Sequence, residues 1–290
     1  MTPFFDFPPN ALAELARVDT ARALAEDVGS GDLTAGLIDP TRLVQARVLA
    51  REAAVICGAP WAEAALQQLD PGVRVNWLVA EGQRCNPDQV VLELRGSART
   101  LLTAERTVLN FLQLLSAVAT KTADYVAAVQ AVPGNRAQIV DTRKTLPGLR
   151  LAQKYAVRTG GGTNHRIGLY DAVLIKENHI AAAGGVSAVL KRALEVAPTA
   201  KFIEIEVETL AQLAEALNSG ATMVLLDNMD LATLREAVAL NAGRAILEVS
   251  GGVNMSTVRE IAATGVDRIS IGALTKDVKA IDFSMRMQEL

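Results

Sequence analysis

Short apolar runs alternate with amphipathic stretches through the second half of the chain. The runs begin near Phe202, Met223, Ala245 and Arg268, at intervals of 21, 22 and 23 residues. A polar or glycine turn follows each run, and a helical pattern follows each of the first three. Such β-α units predict parallel strands joined by right-handed crossovers. Solenoids have periods of similar size, but these units share no side-chain consensus, so we do not favour a solenoid.

The same rhythm extends toward the N-terminus less regularly. Residues 137–142 and 172–176 are typical of two more buried strands, and residues 149–159 are typical of a helix. The fold class predicted by this pattern is α/β, with an incomplete parallel α/β barrel of six or seven strands.

An N-terminal α+β sandwich domain is predicted before the barrel, because strands and helices there do not alternate regularly. The predicted strands are residues 45–51, 74–79 and 89–95, and the predicted helices are residues 59–69 and 97–132. We place the boundary inside the long helix near Ser116. This gives a first domain of residues 1–115, rejoined by residues 276–290, and a barrel domain of residues 116–275.

Composition narrows the class of protein. The chain is 50% hydrophobic, enough for one large α/β domain or for a barrel and a smaller partner domain. Its net charge of −3 favours neither nucleic acid nor an anionic membrane. An aromatic content of 4% gives little material for stacking single-stranded bases. No signal segment and no apolar run of spanning length is visible, so the sequence predicts a cytoplasmic protein. The isolated Cys57 and Cys85 are expected to be reduced packing residues.

Charged side chains follow the predicted strands at their carboxyl ends, where parallel barrels hold their active sites. Arg143, Lys144, Arg166 and Lys176 would converge on one mouth and repel each other unless an anion binds there. Arginine offers a planar fork suited to carboxylate or phosphate. Surface salt bridges with nearby acidic residues are the alternative, but they do not explain why all four cations fall at strand ends or turns.

The chain contains only two histidines, His165 and His179, and both lie in this region. Either alone is typical of a packing or capping residue. A metal site is not expected, because there is no third histidine and the cysteines are distant in sequence. Beside the cations, both histidines are predicted to be neutral hydrogen-bond donors or anion contacts.

Carboxylates occupy the middle strands. Glu206 and Asp227 fall on neighbouring strands, where they could hold ribose hydroxyls or a hydrated Mg²⁺. Strand alternation puts Glu204, Glu206 and Glu208 on one face, and their mutual repulsion argues against a purely packing role. The pattern leaves open which of the three points at a ligand.

Glycine turns end the last two strands, at Ser250-Gly251-Gly252 and at Gly272-Ala273. Barrels often bind phosphate at such turns, and residues 255–264 are predicted to form the helix that follows the first turn. Simple turn chemistry is the alternative. The separate run at residues 160–162 does not match a dinucleotide fingerprint, since no strand precedes it and no helix follows in order.

A set of motifs in this order resembles the quinolinate phosphoribosyltransferase family. The motifs are Glu26-Asp27-Val28-Gly29-Ser30-Gly31-Asp32-Leu33-Thr34, Glu105-Arg106-Thr107-Val108-Leu109-Asn110, Asp141-Thr142-Arg143-Lys144-Thr145, Asn164-His165-Arg166, Lys176-Glu177-Asn178-His179, Leu226-Asp227-Asn228 and Ser250-Gly251-Gly252. The resemblance runs from about Glu26 to the C-terminus, and the extension up to about Asn10 lies outside it.

The resemblance implies an enzyme of NAD biosynthesis. Its reaction converts quinolinate and phosphoribosyl pyrophosphate to nicotinate mononucleotide, pyrophosphate and CO₂. Mg²⁺ is the implied cofactor, bound mainly through phosphoribosyl pyrophosphate, with no metal ligand assigned in the protein. The family also implies a homodimer with shared active sites, with a hexamer of dimers left open, in which Arg106 enters the partner subunit's site.

Site residues are implied at the matching positions. Substrate binding is implied for Arg106, Thr142, Arg143, Lys144, His165, Arg166, Lys176, Glu206, Asp227, Ser250, Gly251, Gly252, Ile271, Gly272 and Ala273. Catalytic roles are implied for Lys144, Lys176, Glu206 and Asp227. Two alternatives stay open at this point: a related phosphoribosyltransferase linked to molybdate transport, and a catalytically silent barrel that senses phosphorylated ligands. The Lys176-Glu177-Asn178-His179 motif argues against the first, and the intact set of cations and carboxylates argues against the second.

Overall fold

Two compact units make up the structure, a computed structural model that describes residues 6–289. Residues 1–5 and 290, which the predicted first domain includes, lie outside the described residues. The N-terminal unit runs to Ala123 and also contains Leu146–Gly161 and the chain from Thr275 onward. The barrel unit contains Asp124–Thr145 and Gly162–Leu274. The domain limits predicted from the sequence stay predictions.

A four-stranded antiparallel sheet forms the centre of the N-terminal unit, in the strand order β12-β1-β5-β3. In chain order the elements of this unit are α1 (Pro9–Val28), a 3₁₀ turn (Ala35–Leu37), β1 (Leu43–Ala50), β2 (Ala54–Val55), α2 (Ala59–Leu69), β3 (Arg74–Trp77), β4 (Arg84–Cys85), β5 (Gln89–Ser97), most of α3 (Ala98–Gln130), α4 (Arg150–Thr159), and β12 (Phe283–Glu289). The last strand pairs antiparallel with β1, from Ala50 opposite Phe283 to Val44 opposite Glu289. The end of the chain therefore lies in the same sheet as residues 43–50.

The core of this unit follows from the alternation in β1, whose even-numbered residues Val44, Ala46, Val48 and Ala50 are buried. They pack with apolar residues of β5, α2 and α3 in one cluster. Both cysteines are buried and form no disulfide, as the sequence analysis expected.

A six-stranded parallel sheet forms the barrel unit, in the strand order β6-β11-β10-β9-β8-β7. In chain order its strands and helices are β6 (Gln138–Val140), β7 (Val173–Ile175), α5 (Glu177–Ala183), α6 (Val186–Val196), β8 (Ile203–Val207), α7 (Leu210–Asn218), β9 (Met223–Asp227), α8 (Leu231–Asn241), β10 (Ile246–Ser250), α9 (Val258–Ala262), β11 (Arg268–Ser270), and the first residues of α10 (Ala273–Lys276). The prediction of an incomplete parallel barrel with six or seven strands is confirmed, with six.

The barrel closes between its first and last strands, since β6 pairs with β11, and it is open between β6 and β7. Thr163 bridges to Val140 on this open side. The Asp141 amide donates to the Thr163 carbonyl at 3.1 Å. Because Asp141 directly follows β6, this bond places the residues after Thr163 beyond the end of that strand. Residues 164–166 therefore reach the carboxyl ends of the strands from a loop.

Local hydrogen bonds set the helix starts after the strands. Thr209 accepts from the Gln212 amide at the start of α7, and Asp230 accepts from the Thr233 amide at the start of α8. The predicted helix at residues 255–264 is wrong in length, because α9 covers only Val258–Ala262. Asn254 Oδ1 accepts from the Ser256 amide at 2.9 Å, and this local turn competes with helix formation. Among residues 6–289, no helix is both long and apolar enough to cross a membrane.

Candidate active site

A cavity of about 190 Å³ opens at the carboxyl ends of the barrel strands. All of its lining residues belong to the barrel unit. They are Thr142, Arg143, Lys144, His165, Arg166, Leu174, Lys176, Glu206, Leu225, Glu248, Ser250 and Ser270. Eight of these were predicted as site residues from the sequence, so the structure brings that part of the predicted set together.

Two arginines form the cationic wall of the cavity. Arg166 is 8% exposed, and its Nη1 donates to the Ala172 carbonyl at 3.3 Å. Burial, followed by the neighbouring charge of Arg143, lowers the pKa of Arg166. The Arg143 Nε is buried and has no hydrogen-bond partner among the described residues. A buried donor beside a second cation is costly when unsatisfied, so this wall suits a bound anion.

Asp171 and Asp141, two of the carboxylates considered as salt-bridge partners in the alternative, accept hydrogen bonds from the loop itself. Both oxygens of Asp171 accept backbone amides, from Ile167 and Gly168, each at 2.8 Å. Asp141 Oδ1 accepts from the His165 amide at 2.8 Å, and its Oδ2 accepts from the Asn164 side-chain amide at 2.6 Å. These carboxylates therefore order the loop that carries Arg166.

Lys176 and Glu206 form an ion pair across neighbouring strand ends, with Nζ 3.2 Å from Oε2. Lys144 follows β6 and is exposed, with its amide donating to Thr142 Oγ1 at 3.1 Å. Two lysines thus stand at the rim of the cavity, outside the arginine wall.

His165 lies in a buried hydrogen-bonded network at the base of the cavity. Its Nε2 is 2.7 Å from Glu204 Oε2 and 3.7 Å from Glu248 Oε1. Arg268 Nε donates to Glu248 Oε2 at 2.8 Å, and the side chains of Arg268, Glu204 and Glu248 are fully buried. The His165 Nδ1 accepts from the Arg166 amide at 2.8 Å, so both ring nitrogens have partners inside the protein.

Burial and neighbouring charges shift the pKa values of His165 and Glu204 in this network. Burial alone would lower the pKa of His165, but the carboxylates of Glu248 and Glu204 outweigh it, so the net direction is upward. Burial and then the charge of Glu248 raise the pKa of Glu204. The base of the cavity therefore holds carboxylates stabilised by the positive charge of Arg268 and by the hydrogen bond to the imidazole.

His165, Glu204 and Glu248 each offer an atom within 4.8 Å of the others, which is a donor set that a metal ion could in principle use. Their geometry is that of hydrogen bonding. The 2.7 Å separation between Nε2 and Glu204 Oε2 is a hydrogen-bond distance, and Arg268 brings a positive charge against Glu248. We therefore treat the three residues as a network and assign no metal to them.

His179 caps the start of α5 through one ring nitrogen, and its predicted role as a hydrogen-bond donor or anion contact stays a prediction. Its Nδ1 accepts from the Lys176 backbone amide at 2.9 Å, at the start of α5. This is the capping role that the sequence analysis weighed as the alternative. The imidazole orders the turn that presents Lys176.

Asp227 ends β9 opposite Ser250 of β10. Its Oδ2 accepts from the Asn228 side-chain amide at 2.7 Å, and the Asn228 amide donates to the Ser250 carbonyl at 3.1 Å. These two hydrogen bonds connect Asp227, the carboxylate predicted to bind ribose, to the glycine turn at residues 250–252.

That first glycine turn requires glycine at two positions, with φ of 98° at Gly251 and 61° at Gly252. A Cβ on Gly251 would clash with the side chain of Asn228, so a side chain there would require Asn228 to move. At the second turn, a Cβ on Gly272 would lie 3.0 Å from the Lys144 Cδ, which places that turn against the lysine. Ile271 and Ala273 flank it, Ile271 buried and Ala273 partly exposed.

Arg106 lies on α3 in the N-terminal unit and is exposed to solvent. It does not line the cavity described above. Its assignment to a partner subunit's site stays a prediction from the family resemblance.

Sequence reasoning missed Glu248 and Arg268 and left the role of Glu204 open. The available signal was a charged residue inside an otherwise apolar strand, as in Ile-Glu-Ile-Glu-Val and Ile-Leu-Glu-Val-Ser. It also missed Leu174 and Leu225, which supply apolar surface to the cavity. Nothing in the sequence distinguishes an apolar strand residue that packs in the core from one that lines the cavity.

Cations, carboxylates and glycine turns at the carboxyl ends of one parallel sheet place the chain among the barrel enzymes that act on phosphorylated substrates. The sequence matches the quinolinate phosphoribosyl transferase C-terminal domain over residues 118–286 and the N-terminal domain of the same family over residues 32–116. The chain belongs to the quinolinate phosphoribosyltransferase family.

Relatives and solved structures agree with this assignment. The chain is 40% identical over 285 residues to a mitochondrial quinolinate phosphoribosyltransferase (decarboxylating) of Nicotiana tabacum, covering 91% of this chain and 80% of that protein. The structure of the nicotinate-nucleotide pyrophosphorylase from Francisella tularensis has a TM-score of 0.92 at 41% identity and covers 99% of this chain and 100% of that chain. The enzyme of that name from Ehrlichia chaffeensis has a TM-score of 0.87 at 36% identity, with 93% and 98% covered.

Proposed function

We propose that this protein transfers the phosphoribosyl group of phosphoribosyl pyrophosphate to quinolinate, with decarboxylation, in NAD biosynthesis. The products are nicotinate mononucleotide, pyrophosphate and CO₂. The observation that carries the proposal is the paired arginine wall, in which a buried Arg143 donor without a partner lies beside the buried Arg166. Family membership supports the choice of quinolinate as the anion.

The cavity fits a planar dicarboxylate on physical grounds. Two guanidinium groups offer forked donors to two carboxylates, and Leu174 and Leu225 offer apolar surface to an aromatic ring. Carboxylates held in this way orient the pyridine nitrogen toward the anomeric carbon of the ribose, which lowers the entropic cost of the reaction.

Bond changes in the proposed reaction are few. The pyridine nitrogen forms a bond to the anomeric carbon as the bond to pyrophosphate breaks. Lys144 and Lys176, at the rim, stabilise the negative charge that develops on the departing pyrophosphate. The carboxylate beside the ring nitrogen then leaves as CO₂, the cationic ring accepts its electron pair, and a proton takes its place.

Glu206 and Asp227 are proposed to bind the ribose hydroxyls and the water shell of a Mg²⁺ ion carried by phosphoribosyl pyrophosphate. Both end neighbouring strands and offer carboxylate oxygens, the donor type that Mg²⁺ prefers while keeping several waters. The cation would supply electrostatic stabilisation of the pyrophosphate. The glycine turns at residues 250–252 and 271–273 are proposed to bind the 5′-phosphate through backbone amides.

A homodimer with shared sites, a further hexameric assembly of dimers and a cytoplasmic location stay predictions. The exposure of Arg106 on α3 is compatible with a role in a partner's site.

The direct test is to incubate the protein with phosphoribosyl pyrophosphate, Mg²⁺ and either quinolinate or nicotinate. We expect CO₂ and nicotinate mononucleotide from quinolinate and no product from nicotinate. If neither acid gives product, the proposal is wrong. If only nicotinate gives product, the acceptor is nicotinate and not quinolinate. A parallel reaction with Arg192→Lys, an exposed arginine on α6, provides a surface control.

A further inference from the structure

Three charged side chains lie at the base of the cavity, one of them lines it, and the proposed chemistry does not use them. Glu204, Glu248 and Arg268 are completely buried in the barrel interior. Glu204 Oε1 and Glu248 Oε1 have no hydrogen-bond partner among the described residues. Charged groups this deep are expensive unless their arrangement has a purpose, since replacing them with apolar residues often stabilises a protein.

The hydrogen bonds around His165 select one arrangement of its proton. The Arg166 amide donates to Nδ1 at 2.8 Å, so Nδ1 is an acceptor and carries no hydrogen. Nε2 then carries the proton and donates it to Glu204 Oε2 at 2.7 Å. Glu248, held by Arg268, lies on the same side of the ring at 3.7 Å and favours a hydrogen at Nε2. A buried second layer of this kind commonly fixes the tautomer of a functional histidine.

We infer that Glu204, Glu248 and Arg268 are positioning residues that hold His165 as its neutral Nε2–H tautomer, and that His165 in turn holds Arg166 against the cavity. His165 accepts the backbone amide of Arg166, so its orientation fixes the backbone from which the guanidinium extends. Asp141 holds the same segment from the other side through the His165 amide. His165 thus positions Arg166, and because it also lines the cavity, its contact with a substrate carboxylate stays a prediction from the family resemblance.

The tautomer assignment does not depend on the proposed function, whereas the effect on quinolinate binding rests on it. Two independent measurements therefore separate the two ideas. A protein that shows the tautomer without turning over quinolinate would contradict only the proposed function. A protein that turns over quinolinate with the other tautomer would contradict only this inference.

Nitrogen-15 spectra of the imidazole rings give the first measurement, because the chain has only two histidines. Because the neighbouring carboxylates raise the pKa of His165, spectra of ¹⁵N-histidine-labelled protein are recorded at increasing pH until the His165 signals stop changing, and this plateau reports the neutral ring. The His179→Gln variant identifies the signals of His165. We expect a protonated Nε2 and an unprotonated Nδ1. A ring protonated at Nδ1, or one that averages both tautomers as free imidazole does, overturns the inference.

Kinetics of Glu204→Gln give the second measurement, with the exposed Glu208→Gln as the matched control. The amide can present its NH₂ to Nε2 and release the ring into the other tautomer. We expect KM for quinolinate to rise on the order of 10- to 100-fold, with a smaller change in KM for phosphoribosyl pyrophosphate. An equal rise in both KM values, or none, contradicts the positioning role. If Glu204→Gln does not fold, the tautomer of the wild-type protein still decides the question.

Discussion

The ammonium of Lys176 lies 3.2 Å from a carboxylate oxygen of Glu206, across the ends of neighbouring strands β7 and β8. The two partners differ in exposure, since the lysine side chain is 51% exposed and the glutamate 15%. The ammonium therefore faces the mouth of the cavity while Glu206 lies deeper. A pair this open to solvent contributes only about 0–1 kcal/mol to folding.

We expect Lys176→Met to lower kcat by about 10²- to 10³-fold, because it removes a cation from the leaving pyrophosphate. Its free energy of unfolding should change by less than about 1 kcal/mol. Steady-state kinetics and urea denaturation measure the two quantities. Lys191→Met, on the exposed face of α6, is the control and should change neither. A Lys176→Met protein with wild-type kcat would remove the lysine from the proposed mechanism.

Replacing either arginine of the cavity wall with lysine keeps the charge and removes the fork. For Arg143→Lys and Arg166→Lys we expect KM for quinolinate to rise about 10- to 100-fold, equivalent to about 1.4–2.8 kcal/mol. KM for phosphoribosyl pyrophosphate should change much less. Initial rates with each substrate varied in turn distinguish these outcomes. A larger effect on phosphoribosyl pyrophosphate would mean that the wall binds phosphate.

The features that could be predicted from the sequence are those set by a residue's position along a strand. The barrel strands are visible because parallel strands covered on both faces form short apolar runs. Arg143, Lys144, Lys176 and Glu206 could be predicted because strand ends converge in a parallel barrel. Each lies in or soon after a predicted strand, so its place in the cavity could be predicted without knowing which residues surround it.

Features that depend on specific partners were not predictable. Nothing in the sequence says that Glu248 meets Arg268 across β10 and β11, because the same residue types form ordinary surface pairs. The role of His179 as a cap depends on one hydrogen bond to Lys176. The shortened α9 depends on the side chain of Asn254, which forms a turn of its own.

Gly251 tests the proposed phosphate turn, because its φ of 98° strains any other residue and a Cβ there would clash with the Asn228 side chain. We expect Gly251→Ala to raise KM for phosphoribosyl pyrophosphate by at least about 10-fold, since the turn must move. Gly243→Ala is the matched control, with φ of 77° and open space around the new Cβ. It should show backbone strain of about 1–2 kcal/mol in denaturation and leave both KM values unchanged.

The double variant Gly251→Ala/Asn228→Ala separates the steric clash from the backbone strain. Asn228 has φ of 53°, so the single variant Asn228→Ala measures the strain added at that position. The double variant should lose less stability than the sum of the two single variants, because the clash between residues 228 and 251 is gone. Purely additive losses in thermal denaturation would mean that the two residues are not in contact.

Arg106 tests the predicted sharing of sites between subunits. Arg106→Ala and Arg143→Ala are each expected to be inactive, because each lacks a proposed carboxylate contact. If Arg106 serves a partner's site, a mixed dimer contains one site with both arginines, and mixing the two proteins should restore part of the activity. Subunit exchange is verified by native mass spectrometry of the mixture. A mixture that exchanges subunits and stays inactive would place Arg106 outside the partner's site.

The pair of Glu248 and Arg268 predicts an asymmetry in stability. Their side chains are completely buried and joined at 2.8 Å, so removing one partner leaves an uncompensated charge in the barrel. We expect Arg268→Met to lower the free energy of unfolding by about 3–5 kcal/mol. The double variant Glu248→Met/Arg268→Met should lose less than the sum of the single variants, because neither charge then remains buried alone. Urea denaturation of the four proteins of this cycle gives the coupling directly. A coupling near zero would mean that other groups stabilise each residue. Arg268 would then not be the residue that holds Glu248 beside His165.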